Sequence, residues 1–215
     1  MENNTIYRKQ YMDKLISLKD KNIIKVLTGI RRCVKSTILN QFKNYLIENG
    51  IKNENIISIN FEDNNNNNLL DGEILHKYIM KRSDSNTKNY IFLDEIQNVV
   101  GFEKCIDSLL LREYLDIYIT GSNSYMLSSE LATFLTGRYI QIHVLPLSFQ
   151  EYLSYYGETD ELKKYNDYIT YGGFPYLINM DNNNEKLEYL DSVYNTVLVK
   201  DVVSRKKIND ILILE

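Results

Sequence analysis

Apolar residues along this chain fall into short β-branched runs separated by longer stretches with helical spacing. Runs of the first kind occupy residues 23–27, 56–61, 90–93, 116–120 and 139–144. Between them, residues 36–49 set Ile38, Leu39, Phe42 and Leu46 on one helical face, and residues 102–113 turn Ile106, Leu109 and Leu110 inward;. Residues 75–81 read as a shorter helix. Such alternation predicts an α/β fold, a parallel sheet covered by helices on both faces, with right-handed crossovers. After Pro146 the strand signal stops. Residues 148–156, 161–169 and 185–203 read as helices, with a turn at Tyr171-Gly172-Gly173-Phe174-Pro175. A boundary near 146 follows, with a domain over residues 1–146 and a helical segment over 147–215. The asparagine run at 64–68 reads as a polar loop, and apolar residues 211–215 read as a docking element or as one awaiting a continuation.

The junction between the first strand and the helix after it carries chemistry. There Gly29-Ile30-Arg31-Arg32-Cys33-Val34-Lys35-Ser36-Thr37 matches the phosphate-binding P-loop, a glycine, four residues, then Gly-Lys-Ser/Thr, except that Val34 stands at the second glycine;. In such a loop, backbone N–H groups and the helix N-terminus hold phosphate oxygens. Lys35 is expected to neutralise the β- and γ-phosphates of ATP, and the Ser36 hydroxyl to ligate Mg²⁺. A β-branched residue is a conformational outlier if position 34 needs a positive φ. Weakened ATP affinity and impaired hydrolysis are therefore expected. Arg31 and Arg32 point either toward phosphate or toward a partner, and Cys33 reads as a small loop filler.

A second element of the same chemistry lies one strand further on. Tyr90-Ile91-Phe92-Leu93-Asp94-Glu95 is a buried strand ending in two carboxylates, and the carboxyl ends of parallel strands are where such sheets bind ligands. Asp94 is the candidate for holding Mg²⁺, mostly through water, and Glu95 the candidate general base toward the attacking water. The next strand ends in Gly121-Ser122-Asn123, and Asn123, with Ser122 second, could hold that water or sense the γ-phosphate. Arg138, just before the fifth strand, is a candidate arginine finger, acting within the chain or toward a neighbouring subunit. His76 and His143 have no ligand-spaced partners and read as structural. The Tyr152, Tyr155, Tyr156 cluster reads as helix packing.

Composition narrows the classes. With 215 residues, 44% hydrophobic and 25% charged, the chain can bury a core without disulfide or metal support;. The net charge of −4 announces no general affinity for nucleic acid;, although residues 200–207 could form a local basic patch. Two widely separated cysteines make no metal or redox motif;. No apolar run approaches the about 20 residues that span a bilayer, and the N-terminus has no apolar signal core. No membrane association and a cytoplasmic location are expected.

Several motifs occur in a fixed order: residues 28–37, Phe92 to Gln97, Thr120 to Asn123, Leu135 to Tyr139, Pro146 to Glu151 and Gly172 to Pro175. Together they resemble the prokaryotic AAA-type ATPases in which a P-loop domain precedes a C-terminal domain of unknown function, the DUF4143 group. The resemblance covers residues from about 8 to 205. It implies a three-layer P-loop NTPase with a five-stranded parallel sheet in the AAA-like order, followed by a helical segment. It also implies that Lys35, Ser36, Asp94 and Glu95 carry ATP and Mg²⁺ chemistry. The chain departs from the family at Val34, and has Phe102 where the family commonly has Trp. It ends where the C-terminal domain would be getting under way, which reads as a fragment or a shortened gene. An ATPase with weakened activity is the leading expectation. The rival is a non-catalytic nucleotide-binding or interaction module that has lost ATP turnover. A homo-oligomer is compatible with Arg138, and nucleic acid enters as a partner by family analogy alone.

Overall fold

The computed structural model describes residues 6–121, 135, 137–157 and 159–197. Among them the chain groups into two compact units. One comprises Lys9–Gly29 and Lys35–His143, the other the described residues of 1–8, 30–34 and 144–215.

The first unit is an α/β P-loop fold. Its five strands are β1 (Ile24–Gly29), β2 (Ile56–Asn60), β3 (Asn89–Asp94), β4 (Leu115–Thr120) and β5 (Tyr139–Val144), in the order β2-β3-β4-β1-β5. Its helices are α1 (Lys9–Leu18), α2 (Lys35–Glu48), α3 (Gly72–Arg82) and α4 (Phe102–Leu110). Each central strand is buried along its whole length, which is why these strands read as continuous apolar runs. Alternation along each strand still assigns the faces. Ile24, Val26, Ile91, Leu93, Ile117 and Ile119 pack with Leu75 and Ile79 of α3 and with Phe102, Ile106 and Leu109 of α4. The opposite face presents Phe92 and Tyr118, stacked 5.0 Å apart, and Phe42 of α2 lies 5.1 Å from Tyr118. Helix α1 packs on α2, with Tyr11, Met12, Leu15 and Leu18 buried. Three layers result.

The same aromatic face carries a buried polar network at the amino ends of the strands. Lys25 and Asp116, both fully buried, form an ion pair across β1 and β4. Asp116 also accepts from the Tyr118 hydroxyl and from the Asp20 backbone N–H, each at 2.8 Å. Lys25 further donates to the Lys21 carbonyl at 2.7 Å. Burial pushes the Lys25 ammonium below the usual lysine range, and the Asp116 carboxylate pulls it back up. Burial and the neighbouring Asp116 both raise the Tyr118 phenol.

Element boundaries differ from the expected ones in physically readable ways. β1 continues through Thr28 and Gly29 because buried Thr28 is held by Gln141 of β5 at 2.8 Å. α4 stops at Leu110 instead of running to residue 113, since Leu111 is exposed and the chain turns through Arg112. The asparagine run is not an irregular loop. It forms a 3₁₀ helix, Asn64–Leu69, whose first turn is capped by the Asp63 side chain accepting from Asn65 N–H;. His76 bonds Ser108 at 3.1 Å and His143 bonds Thr28 at 3.3 Å.

The second unit contains helices α5 (Phe149–Tyr156), α6 (Glu161–Tyr171) and α7 (Asn183–Val197), with a 3₁₀ turn at Pro175–Asn179. Phe149 and Tyr152 of α5 pack against Tyr168 of α6, so the tyrosine cluster serves helix packing as expected. The 200–207 patch and residues 211–215 lie outside the described residues.

Candidate functional site

The parallel sheet delivers the carboxyl ends of β1, β3 and β4 to one end of the molecule, and the sequence-derived candidates sit there. α2 begins at Lys35, directly after the loop that leaves β1. The Lys35 ammonium is buried and donates to the Gly29 carbonyl at 3.1 Å, closing the loop on itself. Ser36 and Asp94 line one cleft of about 100 Å³, together with Asn40, Ser58 and Asn60. The donor set is a carboxylate, two hydroxyls and two amides, all hard oxygen ligands suited to Mg²⁺. Among the described residues no group of three or more His, Cys, Asp or Glu could cage a metal.

Asp94 and Glu95 are held by a partner that the sequence motifs did not single out. The Thr120 hydroxyl at the tip of β4 donates to the Asp94 carboxylate and accepts the Glu95 backbone N–H at 3.0 Å. One hydroxyl therefore fixes both acids. Glu95 itself sits in the left-handed region, φ 55°, an uncommon conformation for a residue with a side chain;. Its carboxylate accepts from the Gln97 side chain at 2.5 Å and is largely buried. Ser58 and Asn60 also escaped the sequence reading. Asn60 stands beside Asp94 in the β2–β3 register, a neighbour relation visible only once strand order is known.

The loop between β1 and α2 shows where Val34 matters. Gly29 has φ 150°, Arg32 φ 67° and Val34 φ 59°. Position 34 thus takes the left-handed backbone that a glycine adopts freely and a β-branched residue strongly resists. Strain at such a position is of the order of 1–3 kcal/mol. Cys33 N–H donates to the Ile30 carbonyl at 3.3 Å, and the Cys33 side chain is buried. Arg31 is half-buried and Arg32 exposed, while Ser36 and Thr37 open α2.

One candidate among the described residues stands apart. Arg138 precedes β5 and forms an ion pair with Asp107 of α4, both side chains half exposed. Helix α4 covers the sheet face opposite α2, so this chain's own Arg138 is engaged away from the Ser36–Asp94 cleft. Ser122 and Asn123 lie outside the described residues.

The comparisons with known proteins agree with this fold. A family model described as an AAA domain matches residues 21–153, more than half the chain and every strand of the sheet. The chain belongs to the AAA domain family. An uncharacterized protein of Haemophilus influenzae is 37% identical over 220 residues, covering 100% of this chain and 55% of the relative. Protein MJ1544 of Methanocaldococcus jannaschii, also uncharacterized, is 37% identical over 201 residues, 88% of this chain and 44% of the relative. The chain thus spans about half the length of the curated relatives it matches. Among solved structures, the Walker-type ATPase PABY2304 of Pyrococcus abyssi superposes with a TM-score of 0.63 at 14% identity, over 96% of this chain and 77% of that one. The S. cerevisiae Hsp104:casein complex gives a TM-score of 0.50 at 15% identity, over 78% of this chain and 31% of that one. These likenesses establish the fold. The AAA domain family generally works with ATP and Mg²⁺. Among the described residues no helix is long and apolar enough to cross a membrane.

Proposed function

We propose that this AAA domain binds Mg-ATP through residues 29–37 and the Ser36–Asp94 cleft, and that it hydrolyses ATP slowly. The observation that carries the reading is that Ser36 and Asp94, distant in sequence, line one cleft beside the start of α2. Lys35 neutralises phosphate charge as it develops on the leaving group. The N-terminal N–H groups of α2 add a fixed positive dipole. Glu95, aligned by Thr120 and Gln97, takes the proton of the attacking water;. When bound, Mg²⁺ supplies charge withdrawal from the phosphate oxygens. Ser36 and Asp94 hold it in place.

Val34 supports the slow rate. Its left-handed backbone keeps the turn that a phosphate loop needs but at a cost in strain, and its methyls occupy space that glycine leaves open;. The same observation favours the second reading, a nucleotide-binding module without turnover. Several finer assignments belong to the proposal as well. Residues 1–146 form the nucleotide-binding domain and 147–215 begin a DUF4143-type C-terminal domain. Arg138 serves a neighbouring subunit in a homo-oligomer, Asn123 positions the water, and the protein works in the cytoplasm.

The metal site is tested by measuring ATP affinity with and without Mg²⁺. The starting protein is expected to gain about ten-fold, or 1.4 kcal/mol, from Mg²⁺. Asp94→Asn and Ser36→Ala should each lose most of that gain while still binding metal-free ATP. An undiminished Mg²⁺ effect in both variants would remove Ser36 and Asp94 from the metal site.

A further inference from the structure

The motifs at residues 146–151 and 172–175 build a tightly packed corner in the helical unit. Gly173 has no room for a side chain, because a Cβ there would stand 2.2 Å from the Leu147 carbonyl oxygen. Leu147 N–H donates to the Gly173 carbonyl at 2.7 Å, and the Tyr168 hydroxyl donates to the Leu147 carbonyl at 2.8 Å. A capping box between Ser148 and Glu151 starts α5;. Arg8, almost fully buried, donates to Glu151 at 2.6 Å and to the Leu145 carbonyl at 3.1 Å. From this corner Pro175 opens the 3₁₀ turn that sets the Tyr176 ring 5.2 Å from the Tyr189 ring of α7. Tyr189 in turn lies under the guanidinium of Arg32, 5.4 Å from the ring centre. A chain of packed groups thus runs from the two motifs to an arginine of the phosphate loop.

We propose that Tyr189 is a positioning residue for the phosphate loop, its ring holding the Arg32 guanidinium so that the in-plane N–H donors face phosphate oxygens. The proposal rests on reading residues 29–37 as a nucleotide site. Its physics is that of a cation held over an aromatic face;. A guanidinium that lies on an aromatic face keeps its edge donors free, and the long arginine side chain surrenders its rotamer freedom before the ligand arrives. Arg32 needs such help, since it is exposed and its backbone is left-handed. The guanidinium lies over the ring, and the buried Tyr189 hydroxyl faces it as well. Burial pushes that phenol up, with Arg32 pulling it back down. The motifs at 146–151 and 172–175 then have a purpose beyond folding, which is to present Tyr189 to the loop.

The test uses Tyr189→Phe, which keeps the ring, and Tyr189→Leu, which removes it. In Mg-ATP titrations the Phe variant should stay within about two-fold of the starting protein, and the Leu variant should bind about three- to ten-fold more weakly. Adding Tyr189→Leu to Arg32→Ala should change nothing further, because the partner of the ring is already gone. A second readout needs no nucleotide: tryptic cleavage after Arg32 should be faster in the Leu variant than in the Phe variant. Equal affinities for the Phe and Leu variants would overturn the proposal, as would an equal loss in both. If the starting protein takes up no Mg-ATP, the nucleotide reading falls. The cleavage comparison still decides whether Tyr189 holds Arg32, equal rates overturning it.

Discussion

Replacing Asp116 by alanine is expected to destabilise the protein by about 3–5 kcal/mol, the largest stability effect of any single substitution considered. The carboxylate is fully buried, and it is the common acceptor for the Lys25 ammonium, the Tyr118 hydroxyl and the Asp20 N–H. Its removal leaves the Lys25 charge inside the sheet with, among the described residues, only the Lys21 carbonyl as acceptor, and leaves the Tyr118 donor stranded. Breaking one partner of a buried pair costs far more than the pair contributes, because the desolvation of the other partner is no longer offset. The downward push of burial on Lys25 expresses the same cost. Urea unfolding of Asp116→Ala measures the loss. The double variant Lys25→Met, Asp116→Leu should recover most of it, since a matched apolar pair restores volume and removes both charges. A loss below about 1 kcal/mol for Asp116→Ala would mean that water reaches the pair.

Glu95→Gln is expected to lower the rate of phosphate release by about 10²–10⁴-fold while leaving ATP affinity nearly unchanged. The amide keeps the shape and the Gln97 neighbourhood but cannot accept a proton. The left-handed turn at Glu95 and the Thr120 bond to its N–H are backbone features, so they survive the change. The comparison is best made in a Val34→Gly background, where turnover is highest on the present reading. Single-turnover phosphate release and calorimetric ATP affinity give the two numbers. An unchanged rate would assign proton transfer to another group, and a parallel loss of affinity would make Glu95 a binding residue.

The fold was legible in this chain because buried parallel strands write themselves as apolar runs, and α2 and α4 keep a clear helical stripe. The P-loop residues and the Asp94–Glu95 pair were legible for a related reason: they fall at strand ends, where local sequence decides position. What depends on lateral order was not legible. Asn60 meets Asp94, and Lys25 meets Asp116, only through the β2-β3-β4-β1 arrangement. Thr120 belonged to a recognised strand tip, but nothing in the sequence said that its hydroxyl would tie both acids together. Helix α1 went unread although Tyr11, Met12, Leu15 and Leu18 have helical spacing, because lysines and aspartates dilute the stripe in a stretch read only for its polarity. The asparagine run hid a 3₁₀ turn for the opposite reason, since identical residues carry no periodicity. At Val34 the sequence posed a conditional question, whether the position needs a positive φ. The backbone answers with φ 59°.

That answer sets the most direct test of the nucleotide site. Mg-ATP is titrated by calorimetry into the starting protein and into Val34→Gly. Saturable binding is expected in both, several-fold tighter in Val34→Gly, because glycine adopts the left-handed turn without strain and clears the space in front of the phosphates. Binding of equal strength in the two proteins would contradict the role given to Val34. Absence of binding in both would contradict the nucleotide site itself.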